Sequence, residues 1–164
     1  MQPIAIVRNR NHHTPLLCFG VLLILGAVLW PTLSPAQGNG TPENKKYVTD
    51  FYTLAFVKKQ VEEAFTKYVG ETYIQHNPTV PDGKEAPIKY LSQFFKDNPQ
   101  ATATIKRVIA EDNLVAVHSH WKKNAEDRGR AVIDIFRVEQ GKIVEHWDVL
   151  QPVPETAANN NGMF

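Results

Sequence analysis

Between residues 41 and 98 the apolar positions recur at helical intervals, and from residue 101 onward they alternate with polar ones. The first rhythm predicts helices and the second predicts strands half-buried in a sheet. Tyr47, Val48, Phe51, Leu54 and Ala55 form one buried stripe, behind a start signal with Thr41 as cap and Pro42 at the first helical position. A second, short helix is predicted from Val61 to Tyr68, ending at Gly70. Asp82-Gly83-Lys84-Glu85 has capping-box spacing and opens a third helix through Ile88, Leu91, Phe94 and Phe95, stopped by Asn98-Pro99. Four strands follow: Ala101 to Glu111, Leu114 to Lys123, Arg130 to Val138 and Lys142 to Val149. Their turns are Asp112-Asn113, a polar loop from Asn124 to Gly129, and Glu139-Gln140-Gly141, a three-residue hairpin loop with Gly141 left-handed. Helices followed by an antiparallel meander make an α+β domain.

The first 36 residues follow a different pattern. Arg8 and Arg10 precede an apolar run from Leu16 to Trp30, then Pro31 and the small residues Ser34-Pro35-Ala36. That is the layout of a secretory signal cleaved after Ala36, and the run is shorter than the roughly 20 apolar residues that span a bilayer. The organisation expected is therefore a signal peptide over 1–36, a flexible joint over 37–42, one domain over 43–150 and a C-terminal tail over 151–164. The protein is expected to be exported, periplasmic or secreted, without stable membrane insertion after cleavage; an uncleaved N-terminal anchor is the alternative. Met163-Phe164 can tuck the tail into a groove.

The 164 residues carry a net charge of +1 with no basic block, which argues against a nucleic-acid partner. Cleavage would leave 16 basic and 17 acidic residues and remove Cys18, the only cysteine, so disulfide, thiol and cysteine-metal chemistry drop out. Four histidines remain: His76, His118, His120 and His146.

Strand alternation places His118, His120, Asp134, Phe136, His146 and Asp148 on one face. Val115, Val117, Trp121, Ile133, Ile135, Ile143, Trp147 and Val149 fall on the other. A three-residue loop ending at Gly141 pairs Asp134 with His146 and makes Asp148 a diagonal neighbour; a symmetric turn over Asn124–Gly129 brings His118 against Asp134. Register is the sensitive quantity, since a slip of one residue exchanges the faces. Two carboxylates and three imidazoles converging under helices would sit in a dry cavity, where neighbouring acids separate in proton affinity and one becomes suited to proton transfer. The alternative is that this face is wet and its polar groups solvated. How far Phe136, Tyr90, Phe94 and Phe65 project would set the cavity's size. A second candidate stretch is Tyr73 to Gly83, in which His76 and Asn77 can donate hydrogen bonds from a loop ahead of a helix start. The local alternative is that Asn77 stabilises a turn before Pro78 and His76 caps a helix. Asn77-Pro78-Thr79 is excluded as a glycosylation site by its proline.

These residues carry a resemblance. Tyr73-Ile74-Gln75-His76-Asn77-Pro78 with Pro81-Asp82-Gly83, Asp134-Ile135-Phe136-Arg137-Val138, and Gly141 through Asp148 (Gly-Lys-Ile-Val-Glu-His-Trp-Asp) resemble the SnoaL-like proteins of the nuclear-transport-factor-2-like superfamily. Relatives there include polyketide cyclases and proteins described as predicted aldol-condensation enzymes. The resemblance covers about residues 43 to 150. It implies a cone: a curved antiparallel sheet wrapped by three N-terminal helices around a pocket, with no cofactor. It also implies that Asp148 matches the cyclase's acid/base aspartate and Asn77 its asparagine before proline. Asp134 stands where the cyclase has histidine, a departure that makes the cyclase's own substrate a poor guide.

Three functions are compatible with this reading. In the first, Asp148 enolises a keto substrate as base, with Asp134 and His146 orienting or tuning it and His76 and Asn77 as oxyanion donors. His118, His120 and Phe136 would complete the binding surface of such a lyase or isomerase. The second is a non-catalytic small-ligand-binding protein using the same pocket. The third is a divalent-metal site on His118, His120 and His146 with Asp134 or Asp148. The bulky outer face, with Trp121, Ile133, Ile135 and Trp147, predicts a homodimer through the outer sheet unless the C-terminal tail covers it, and the resemblance implies the same dimer.

Overall fold

The computed structural model describes residues 41–164; the expected signal segment and residues 37–40 of the joint lie outside them. Thr41 and Pro42 already belong to the first helix, α1 (Thr41–Tyr52), which passes directly into a π-helical turn at Thr53–Val57. Helix α2 (Val61–Tyr68) leads without a loop into strand β1 (Val69–Gln75), and α3 (Glu85–Asp97) follows. The remaining strands are β2 (Thr102–Glu111), β3 (Leu114–Lys122), β4 (Arg130–Glu139) and β5 (Lys142–Pro152).

The five strands form a curved, open sheet in the order β1-β5-β4-β3-β2. Every pair is antiparallel except β1 with β5, so the sheet is mixed. Periodicity did not separate β1 from its surroundings: with one face against α2 and only Val69 and Tyr73 buried, Val69–Gln75 shows little alternation. The capping-box reading of Asp82 is also corrected. Its carboxylate accepts the Gln75 N–H at 2.8 Å and Gly83 N–H donates to the Tyr73 carbonyl, so Asp82-Gly83 closes the end of β1 instead of capping α3.

The helices cover one sheet face, and the core lies between. Phe51, Tyr52, Ala55 and Val48 are fully buried against Val115, Val117, Phe136 and Ile143. Phe51 sits edge-on to Phe65 at 5.3 Å and to Phe136 at 5.5 Å, joining α1, α2 and the sheet in one aromatic cluster. Among the described residues no helix is long and apolar enough to cross a membrane.

Two registers differ from the sequence expectation. The β4–β5 hairpin closes on a two-residue turn, Gln140-Gly141, both with positive φ (49° and 71°), which is the primed turn favoured by twisted strands. Val138 then pairs with Ile143 but Arg137 with Glu145, so Val144 bulges out. The bulge turns Ile143 into the core, where alternation had put it outside. It also pairs Asp134 directly with Asp148, and Phe136 with His146. The β3–β4 register is one residue from the symmetric turn: Asp134 faces Val117, and His118 faces Ile133. Gly129 sits at this crossover with φ 79°, where an added Cβ would fall 2.0 Å from the Trp121 carbonyl oxygen. That slip reverses all of β3.

Candidate functional site

The polar network begins at the end of β1, where main-chain geometry leaves little freedom of assignment. The Asn77 side-chain oxygen accepts from Thr79 N at 2.9 Å and Thr79 Oγ1 at 2.7 Å, so its amide nitrogen must point the other way. That nitrogen donates to both oxygens of Asp148, at 3.0 and 2.8 Å. Asn77 N–H also donates to Gln75 Oε1 at 3.0 Å, which fixes the Gln75 amide in turn. Gln75 Oε1 lies 2.9 Å from His146 Nδ1, so Nδ1 carries a hydrogen and donates it.

The consequence falls on the other ring nitrogen. His146 Nε2 faces Asp134 Oδ1 at 3.1 Å, with both side chains nearly buried. A neutral imidazole protonated at Nδ1 would oppose one lone pair to another here, so the pair holds one proton between Nε2 and Oδ1. On its other oxygen Asp134 accepts from Tyr52 OH at 2.8 Å. Tyr52 OH in turn accepts from Trp121 Nε1 at 2.8 Å and lies 2.8 Å from Ser119 Oγ. Its single hydrogen goes to Asp134, which leaves Ser119 the donor to Tyr52. Burial, and then the Asp134 charge, hold the Tyr52 hydroxyl well above its ordinary range, so it stays protonated.

These groups open on a cavity of about 470 Å³, a size ordinary for small-molecule sites. Its apolar wall includes Phe51, Phe56, Phe65, Leu91, Phe94 and Trp121; Asp134, His146, Asp148, Asn77 and Gln75 supply the polar patch. Tyr73 also lines it. The Tyr73 hydroxyl makes no hydrogen bond within the described residues, and burial, reinforced by Asp134 and Asp148, pushes its ionisation far above the usual range. It is a neutral donor left free beside two acids.

Of the site residues expected from sequence, Asp134, Phe136, His146, Asp148 and Asn77 meet at this cavity, as do Tyr90, Phe94 and Phe65. Three do not. His118 and His120 lie on the opposite sheet face because of the β3 slip, and there they stack on Phe164 at 5.6 and 4.2 Å. His118 accepts from Arg107 and His120 donates to the Arg128 carbonyl. His76 follows the outer face as well, stacked on Trp147 at 4.6 Å with Nε2 2.7 Å from Glu145 Oε1. The oxyanion role expected of His76 is therefore not available, and Asn77 directs its amide hydrogens to Asp148. The metal set His118, His120 and His146 is divided between two faces. Among the described residues, the group that can approach a cation is Asp134, His146 and Asp148, whose ligand atoms lie within 4.8 Å of one another. Tyr52, Ser119 and Trp121 were not singled out as site residues, since each reads from sequence as ordinary helix or strand. Tyr73 and Gln75 fall inside the candidate stretch Tyr73–Gly83, but only His76 and Asn77 were given roles there.

Compared with known proteins, residues 48–146 match the family model for the SnoaL-like domain. No curated protein matches the sequence. A Bacillus cereus ATCC 10987 structure described as a polyketide cyclase is similar at 24% identity and TM-score 0.56, covering 66% of this chain and 74% of that one. A Kribbella flavida DSM 17836 structure described as a ketosteroid isomerase aligns at 13% identity and TM-score 0.57, over 74% and 87% of the two chains. An isomerase-named member of the SnoaL-like family from Agrobacterium tumefaciens C58 aligns at 10% identity and TM-score 0.55, over 66% and 98%. At these identities the structural likeness speaks for the fold.

Proposed function

The chain belongs to the SnoaL-like family, and from that premise we propose that it is a cofactor-free acid/base enzyme of the isomerase or cyclase kind, acting on a carbonyl compound. The observation that carries this is the double hydrogen bond from Asn77 to Asp148 at the cavity wall, beside a proton-holding Asp134–His146 pair. Asp148 is the base: its carboxylate takes the hydrogen from the carbon next to the carbonyl, and Asn77 keeps it aimed. The electron pair moves onto the carbonyl oxygen, where the free Tyr73 hydroxyl donates a hydrogen bond to the developing enolate. Such a donor in a water-poor site is worth far more than in water. Where a double bond lies β,γ to the carbonyl, return of the proton from Asp148 to the γ-carbon gives isomerisation; attack of the enolate on a second carbonyl, with the proton from Asp148 passing to the new alkoxide, gives aldol-type closure.

The test is exchange of the acidic α-hydrogens of a β-keto ester in deuterated buffer. The protein accelerates exchange over buffer, and Asp148→Asn removes the acceleration. Exchange that is equally fast with the variant sinks the catalytic reading in favour of a non-catalytic ligand-binding protein, the alternative that the same cavity supports. A metal enzyme is the less favoured reading, since Tyr52 and Asn77 already donate to the two carboxylates a cation would need.

Export is part of the same proposal. The basic start, apolar run and Ser34-Pro35-Ala36 of the N-terminal segment support it. Expressed with its full chain in a Gram-negative host, the protein is expected in the periplasmic fraction with Gln37 as its first residue. Sequencing that returns Met1 would leave the anchored alternative.

A homodimer through the outer sheet face completes it. Ile133 and Val149 are 42% and 68% exposed and adjacent across β4 and β5. Trp121, once grouped with them, is on the inner face. An exposed aliphatic pair of this kind, flanked on β3 by His118 and His120 under the Phe164 ring of the tail, supports an interaction site on the part of the face the tail leaves open. Sedimentation at micromolar concentration should give twice the monomer mass, and Ile133→Lys should halve it. A wild-type monomer overturns the dimer.

A further inference from the structure

The end of the cavity remote from the acids carries charge of the opposite sign. Lys122, Lys123 and Arg130 all line it, at the end of β3 and the start of β4, against a single lining carboxylate, Asp127. Asp127 is fixed by the main chain: one oxygen accepts Lys123 N–H and the other Gly129 N–H, both at 2.8 Å. These backbone bonds, and after them the charges of Lys123 and Arg130, hold its carboxyl below the ordinary range. No carboxylate lies within ion-pair distance of any of the three cations among the described residues. Lys122 is tied to the Ala125 carbonyl at 2.8 Å, while the Lys123 and Arg130 side chains make no hydrogen bond there.

Arg130 shares the inner face of β4 with Asp134, four residues along the strand, so the two Cα positions are about 13 Å apart. Between them the wall is apolar: Val132, Leu150 and Trp121. A cavity with an acidic floor, an apolar middle and a rim where three cations face one carboxylate aligns a ligand of matching polarity. We propose that the ligand is an amphipathic carboxylic acid, its carboxylate at Lys123 and Arg130 and its apolar body, bearing the reactive carbonyl, directed toward Asp148. The place of that carbonyl rests on the acid/base reading above; recognition of the carboxylate does not.

The experiment is therefore one of binding. Naphthaleneacetate and naphthaleneacetamide have the same shape and differ in charge, and their fluorescence reports capture. The wild-type protein is expected to bind the acid at least about tenfold tighter than the amide at pH 7, with the preference shrinking as salt rises. Lys123→Gln with Arg130→Gln should abolish the preference while leaving the amide's affinity unchanged, and Lys123→Arg with Arg130→Lys should retain it. Equal affinities, a preference that survives in the double glutamine variant, or failure of both ligands to bind would overturn the proposal. Asp148→Asn leaves the preference in place, so the loss of enolisation and the loss of carboxylate recognition are separable results.

Discussion

Asp148→Asn is expected to slow α-hydrogen exchange about 10²- to 10⁴-fold, the usual contribution of a positioned general base. The substitution is nearly isosteric: the new side-chain oxygen can still accept from Asn77, but the new amide nitrogen meets the Asn77 amide nitrogen donor to donor, so one hydrogen bond is lost. Unfolding free energy should therefore fall by about 0.5–1.5 kcal/mol, the net worth of one hydrogen bond. A melting curve displaced by no more than that, with lost exchange, assigns the loss to the missing base. A companion variant, Asn77→Ala, removes the aim of Asp148 but not the carboxylate, and should lose only part of the rate.

The second large effect concerns Asp134, where two substitutions should part company. Asp134→Ala strips the partner from His146 Nε2 and Tyr52 OH in a nearly dry site. Removing one member of a buried hydrogen-bonded pair costs on the order of 3–5 kcal/mol. Asp134→Asn can satisfy both neighbours with no proton held in the pair: its NH2 donates to a neutral His146 Nε2, and its oxygen accepts from Tyr52. Stability should then change by less than about 1 kcal/mol. Urea denaturation of the two variants checks this, and an Asp134→Asn as unstable as Asp134→Ala would refute the hydrogen-bond assignment. Exchange activity in the asparagine variant measures whether the proton held by the pair takes part in turnover.

The α+β class, the helix at Val61–Tyr68, the four-strand meander and the grouping of Asp134, His146 and Asp148 were legible in the chain, because each follows from periodicity and turn chemistry over a few residues. The grouping held although the β4–β5 pairing was two positions away from the expected one. A slip of two keeps Asp134, His146 and Asp148 on one face, and only Ile143, on the far side of the Val144 bulge, changes sides. His118 and His120 were misplaced because their pairing differs by one, and one residue exchanges the faces. The loop from Lys123 to Gly129 sets that difference through the Asp127 hydrogen bonds and the conformation of Gly129, a long-range geometry that alternation does not encode. His76 is a similar case: once β1 pairs in parallel with β5, its ring is carried to the outer face beside Trp147.

By itself, then, the sequence determined which residue types would line a sheet beneath helices, and that two carboxylates and an imidazole would share a face. Tertiary structure alone decided how those groups bond to one another. The joining of Asn77 to Asp148 across 71 positions, and of Tyr52 to Asp134 across 82, depends on where β1 and α1 dock. Docking is a matter of packed volume and strand register, quantities summed over the whole core, and no local run of residues contains them.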